Sequence, residues 1–123
     1  MTIHLDTNYL ILLTADDKVG ELVSEWISDG VVLKTSAMAW AEFCCEPVDK
    51  KILAYVADIV SEIVPMDAAI ARAAAQLFQK TGRRSRSLPD CIIAATAIAD
   101  EAAVATRNRA DFTPFVPHGL RIV

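Results

Sequence analysis

Continuous apolar runs alternate along the chain with stretches in which apolar residues recur at helical spacing. Thr2 to Asp6 is an apolar run closed by an acid and predicts a strand. From Asn8 the pattern turns helical, with Asp6 or Thr7 placed to cap it. Leu22, Val23, Trp26 and Ile27 share one helical face, and Gly30 is expected to stop that helix. Val31-Val32-Leu33 predicts a second strand, and Thr35-Ser36 caps a helical segment from Ala37 to Cys45 that Pro47 ends. Ile52, Leu53, Val56, Ile59 and Val60 again follow helical spacing, and Ile63-Val64 predicts a third short strand. Asp67 is placed to cap an Ala-rich helix running to about Lys80, closed by Gly82. Ser87 then reads as the cap of a further helix, with Asp90 completing a capping-box-like pattern. That helix, to about Ala99, is apolar nearly all round, as a buried helix is. Ala103-Val104-Ala105 predicts a fourth strand, and Arg121-Ile122-Val123 a fifth at the edge.

Strands and helices therefore alternate, and the strands are continuously apolar. This combination predicts an α/β fold: a central parallel sheet of four to five strands, covered by helices on both faces. The 123 residues suit one domain, expected to span 1–123. With 54% hydrophobic and 23% charged residues the composition is that of a globular chain. No apolar run reaches the ~18 residues of a membrane span, and no basic-then-apolar leader opens the chain, so a cytoplasmic protein is expected. Cys44, Cys45 and Cys91 match neither a disulfide framework nor a zinc site, and are expected to be reduced and mostly buried.

In open parallel sheets, ligands bind beyond the carboxyl ends of the strands. Asp6 ends the first strand. Thr106 ends the fourth and is followed by Arg107, Asn108 and Asp111. Asp90 opens the buried helix, and Glu42 sits among Met38, Trp40, Ala41 and Phe43. Taken singly, these acids have ordinary explanations: a cap for Asp6, a helix-dipole partner for Asp90, an outward-pointing Glu42, a turn residue for Asp111. Taken together, they imply a cluster whose members would raise one another's pKa values unless a cation neutralised them. Oxygen donors without imidazole or thiol select hard ions, Mg²⁺ or Mn²⁺. His4 and His118 have no partner at ligand spacing, so both are read as structural or solvated. Net charge is −4, which does not suit a passive nucleic-acid binder, but Arg83, Arg84 and Arg86 form one basic spot and Arg107 and Arg109 another.

Four blocks carry a resemblance: Leu-Asp-Thr-Asn (5–8), Ala-Glu-Phe (41–43), Leu-Pro-Asp-Cys-Ile-Ile-Ala-Ala-Thr-Ala (88–97) and Thr-Arg-Asn-Arg-Ala-Asp-Phe (106–112). In order and approximate spacing, across essentially the whole chain, the sequence resembles the PIN-domain ribonucleases, and most of all the VapC-type toxins of toxin–antitoxin operons. The resemblance implies that Asp6, Glu42, Asp90 and Asp111 bind Mg²⁺ or Mn²⁺ and carry catalysis. It also implies that Thr7 and Asn108 support them. Expected partners are an RNA substrate, often tRNA, a small antitoxin protein and a second copy of the chain. Arg83, Arg84, Arg86 and Arg107 are expected to meet the RNA backbone. Alternatives within the fold are a nuclease of RNA maturation or decay, or a silent PIN module that only binds partners. A phospho-receiver domain is disfavoured because only one acid follows the first strand and no lysine follows Lys80. Dispersed glycines disfavour a nucleotide-binding Rossmann or P-loop protein.

Overall fold

The computed structural model describes residues 1–123. The chain runs β1 (Thr2–Leu5), α1 (Thr7–Ala15), α2 (Asp17–Ser28), β2 (Val32–Ser36), α3 (Ala37–Cys44), α4 (Lys50–Ile59), β3 (Glu62–Val64) and α5 (Ala68–Lys80). It continues through α6 (Leu88–Ala99), β4 (Ala103–Ala105), α7 (Arg109–Phe112), a 3₁₀ segment (Thr113–His118) and β5 (Arg121–Ile122). The five strands form one sheet in the order β3-β2-β1-β4-β5, and every pairing is parallel. Ile3 lies opposite Leu33 on one side and Ala103 on the other.

The strand order fixes where a site can form. From β1 the chain steps outward to β2 and β3, then crosses back to β4 and β5 on the other side. Right-handed crossovers consequently place α1–α4 over one face of the sheet and α5–α6 over the other. The helix contacts largely follow this: α1 packs on α2, α3 and α4, and α5 packs on α6, while α3 also meets α6. The direction reverses between β1 and β4, so the helices that follow those strands diverge and leave a crevice at their carboxyl ends.

Of the six buried residues of α6, five are small or thin: Cys91, Ala94, Ala95, Thr96 and Ala97, beside Ile93. Little side-chain bulk separates this helix from α5 and from the sheet, as its nearly all-round apolar sequence requires. The core continues through Phe43, Phe112 and Phe115, each essentially inaccessible.

Several expected boundaries shift. One helix was expected from Asn8 to Gly30; two form, because Asp16 adopts an extended backbone (φ −132°, ψ 113°) and its side chain accepts the Lys18 N–H at 2.9 Å. The second strand extends through Thr35 and Ser36; of these only Ser36 caps α3, accepting the Ala39 N–H at 3.0 Å, while Thr35 donates its hydroxyl to the Leu5 carbonyl. Ser87 starts α6 but does not cap it: its hydroxyl donates to the Arg84 carbonyl at 2.7 Å, and no capping box forms. The cysteines also differ from expectation, since Cys44 and Cys45 at the open end of α3 are exposed and only Cys91 is buried. The segment α7 with its 3₁₀ continuation had no periodic signal at all.

His4 is fully buried on β1, its Nε2 2.7 Å from Asp100 at the end of α6. Lys34, beside it on β2, pairs with Glu62 at 3.1 Å and Asp100 at 3.3 Å. Burial pushes the His4 pKa down against the pull of Asp100, so the ring is neutral at pH 7 and holds α6 to the sheet by a hydrogen bond.

Asp16 carries the break between α1 and α2, so its loss is measurable. Asp16→Ala is expected to destabilise the protein by about 1 kcal/mol, and Asp16→Asn by much less, because Asn caps as well as Asp does. Denaturant melts of both variants check this; equal losses would remove the cap as the cause.

Candidate active site

Asp6 follows β1 directly and caps α1, accepting the Thr7 N–H at 2.7 Å. Its own N–H donates to the Ala105 carbonyl on β4 at 3.0 Å, so the carboxylate sits at the reversal point between the two strands. From the end of β4 the Thr106 hydroxyl donates to Asp6 Oδ2 at 2.8 Å. The Asp6 side chain is thus gripped by both strands, and only 4% of the residue is exposed. The adjacent Thr7 hydroxyl donates to Glu42 Oε1 at 2.8 Å, tying the start of α1 to α3. Asp90 stands in the first turn of α6, and Asp111 in the short α7.

Four acids from four separate segments therefore face one crevice. Their electrical contact is visible at Asp90, whose pKa is pushed up to about 6. Burial is the largest cause, followed by the charges of Asp6, Asp111 and Glu42; Arg84 opposes the rise. Asp6 is raised as well, because burial outweighs the hydrogen bonds from Thr106 and Thr7 and the charge of Asp111 adds to it.

The supporting residues are not all those expected. Thr7 does bond to Glu42, but the Asn108 side chain makes no hydrogen bond to an acid; its backbone N–H donates to Thr106 Oγ1 at 3.0 Å and its carbonyl accepts the Asp111 N–H at 3.0 Å. Thr106 is the residue that sequence reasoning passed over. Its place at the end of a strand was legible, but not the rotamer that aims its hydroxyl at Asp6. Of the basic residues, Arg83, Arg86 and Arg107 are exposed and Arg84 is half-buried.

The donor chemistry fits a hard divalent cation. Every candidate ligand is a carboxylate, and the threonine hydroxyls fix two of them in orientation, as outer-shell groups of metal sites do. No three acidic, imidazole or thiol groups are drawn tightly enough to grip an ion by themselves. Mutually repelling carboxylates stand apart in this way. The site is an open crevice: the three larger hollows of the surface, about 540, 450 and 370 Å³, are lined by other residues.

A raised carboxylate pKa lowers stability wherever that group is ionised. Between pH 3.8, the ordinary value, and about 6 the folded state holds a proton on Asp90 that the unfolded chain gives up. Metal-free protein should therefore gain stability on acidification from pH 7.5 to 5.5 through this group. Asp90→Asn should be more stable than the parent at pH 7.5, by about 1 kcal/mol once solvent screening of this partly exposed group and the lost helix-dipole interaction are both subtracted. Thermal melts in EDTA across this range provide the check, and a variant less stable than the parent at pH 7.5 would refute the crowding of charge.

The match with known proteins follows the same geometry. The family model described as PIN domain matches residues 3–113. No curated protein sequence matches the chain. Among solved structures, the chain is similar to VapBC2 from Rickettsia felis bound to a DNA fragment from their promoter, with a TM-score of 0.77, 18% identity, and coverage of 100% of this chain and 98% of that one. It is also similar to VapBC-1 from nontypeable Haemophilus influenzae, with a TM-score of 0.74, 21% identity, and 100% and 97% covered. A toxin–antitoxin complex from Klebsiella pneumoniae has a TM-score of 0.72 and 25% identity over 91% of this chain and 90% of that one. With the family model spanning all four acidic segments and the sheet order that brings them together, this chain belongs to the PIN-domain family.

Proposed function

We propose that the protein is a metal-dependent endoribonuclease and the toxin member of a toxin–antitoxin pair. The observation that carries the reading is the convergence of Asp6, Glu42, Asp90 and Asp111 at the reversal point of the sheet, close enough for three of them to disturb the ionisation of the fourth. Membership in the PIN-domain family supports nuclease chemistry, and the likeness to toxin–antitoxin complexes supports the toxin role.

Asp6 and Asp90 would hold Mg²⁺ or Mn²⁺, with Asp111 and Glu42 completing the acidic rim. The bound cation supplies charge neutralisation, polarisation of the scissile phosphodiester and a lower pKa for water. The chain's own residues do the rest. Thr106 and the Thr7 N–H fix the Asp6 carboxylate and leave little freedom to lose when a ligand arrives. Glu42, whose Oε1 accepts the Thr7 hydroxyl, would serve as a direct or water-mediated ligand or as the base that orients the water. The exposed Arg83, Arg86 and Arg107 would balance the negative rim where a folded RNA such as tRNA approaches.

An antitoxin partner has a surface to recognise. A groove of about 540 Å³ is lined by Asp16, Asp17, Glu21 and Glu25, with Leu13 and Tyr55 supplying apolar contact. A basic, partly apolar segment of a partner complements it. A homodimer completes the proposed assembly.

Purified protein should cleave RNA with Mg²⁺ or Mn²⁺ and stop in EDTA. Asp6→Asn should lose cleavage by at least about a hundredfold while melting no lower than the parent, since Asn preserves the cap. Near-normal cleavage by Asp6→Asn, or cleavage that survives thorough chelation, would overturn the metal mechanism. Fragment sequencing after controlled expression, with Asp6→Asn as control, identifies the RNA target. Light scattering at micromolar concentration tests the dimer, and a stable monomer would count against it.

A further inference from the structure

Arg107 sits between two residues tied to the acidic site. Before it, Thr106 donates its hydroxyl to Asp6 Oδ2 at 2.8 Å; after it, the Asn108 carbonyl accepts the Asp111 N–H at 3.0 Å. The Asn108 N–H returns to the Thr106 hydroxyl at 3.0 Å and closes the turn around Arg107. The Arg107 backbone is therefore fixed at the edge of the crevice. Its side chain turns to α1, where the guanidinium carbon lies 5.9 Å from the centre of the Tyr9 ring, within cation–π range. Tyr9 stands in the first turn of α1, three residues past Asp6. Both ends of the arginine side chain thus lie within a few residues of Asp6 or of its hydrogen-bond partner.

The ring that holds the guanidinium is itself held. Tyr9 is buried and stacks on Trp26 of α2, with ring centres 6.0 Å apart and planes 23° from parallel. Arg107, by contrast, is exposed, and its guanidinium closes no ion pair. Other arginines differ from it in one respect or the other. Arg109 and Arg121 are committed to the Val123 and Glu101 carbonyls, at 3.1 and 2.8 Å. Arg83 and Arg86 are exposed with no aromatic ring to hold them. A cation held on an aromatic face gives up less freedom on binding than one on a free stem, and an arginine so placed still offers its donors as a planar fork. An accessible, positioned fork with no carboxylate of its own suits an oxyanion that arrives with the substrate.

We infer that Arg107 takes a phosphate of the RNA backbone at the edge of the acidic crevice, and that Tyr9 is its positioning residue. This rests on the nuclease reading of the same crevice. It separates Arg107 from Arg83 and Arg86, whose free side chains contribute only diffuse attraction, and gives it a fixed contact that sets where the backbone lies relative to Asp6. A phosphate contact positions the RNA without reading its sequence, so its loss weakens the binding of all sequences alike.

Two measurements on the full chain with Mg²⁺ test it. The first is steady-state cleavage of RNA. Arg107→Met should raise KM by ~10–100-fold with kcat changed far less, whereas Arg86→Met should change KM by less than about threefold. Tyr9→Phe, which keeps the ring, should match the parent. Tyr9→Leu should raise KM, and adding Arg107→Met to it should cost far less than Arg107→Met costs alone, a non-additivity that lost packing does not produce. The second is fluorescence polarization of a labelled single-stranded RNA oligonucleotide, bound by protein in the Asp6→Asn background at a series of salt concentrations. There Arg107→Met should reduce the slope of log Kd against log salt by about 0.7, for oligonucleotides of different sequence alike. Equal KM changes for Arg107→Met and Arg86→Met, or a salt slope that Arg107→Met leaves unmoved, overturns the contact. Additive effects of Tyr9→Leu and Arg107→Met overturn the role of Tyr9. Protein that binds RNA through Arg107 but, with Asp6 intact, cuts none overturns the nuclease reading and leaves the contact standing. Cleavage indifferent to Arg107 does the reverse.

Discussion

Like charges brought together at the reversal point of the sheet are the constraint on which the rest of this structure depends. Asp6, Glu42, Asp90 and Asp111 reach one crevice from the end of β1, α3, α6 and α7, and burial first, then the neighbouring charges, make Asp90 hold its proton to about pH 6. Folding alone gains nothing from such an arrangement: an asparagine caps α1 as well as Asp6 does, and a neutral residue at position 90 would escape both the burial cost and the neighbouring charges. The arrangement becomes favourable when a cation enters, because each repelling pair then shares an attractive partner. A stability deficit retained at one spot, in a chain otherwise locally consistent, supports the active site proposed there.

The fold meets this cost with local devices. Asp6 is pinned by hydrogen bonds that come from both β1's own continuation and the end of β4, so the carboxylate cannot swing away from its neighbours. The hydroxyl of Thr7 does the same for Glu42 across the gap between α1 and α3. Far from the site, the neutral His4 and the Lys34–Asp100–Glu62 group hold the other end of α6 to the sheet, and so hold Asp90 at its start. Arg84 lies near enough to lower the Asp90 pKa, yet no arginine closes an ion pair with the four acids; such a pair would consume charge that the proposed cation site uses.

Much of this was legible in the chain before any coordinates. Continuous apolar runs gave the strands and their parallel character, and the all-round apolar 91–98 segment gave the buried helix, because both signals come from burial and burial dominates periodicity. The acids were legible as a set, through their positions at strand and helix ends and through their resemblance to one family. What escaped were features decided by local competition. Asp16 breaks a helix that periodicity alone would continue, Ser87 spends its hydroxyl on Arg84 instead of capping α6, and four short residues of α7 are too few to show a period. Thr106 and Asn108 illustrate the limit: both lie at the end of β4, and only side-chain geometry tells that the first supports Asp6 and the second does not.

The repulsion itself is open to direct measurement by titration calorimetry of Mg²⁺ or Mn²⁺ into metal-free protein, in buffers of different ionisation enthalpy. A cation that binds where Asp90 is half-protonated must displace that proton. Binding at pH 6 should then release on the order of half a proton per protein, and binding at pH 8 almost none, with affinity rising between the two. Binding with no proton release at either pH, or no binding at all, would contradict a metal site built from these four carboxylates.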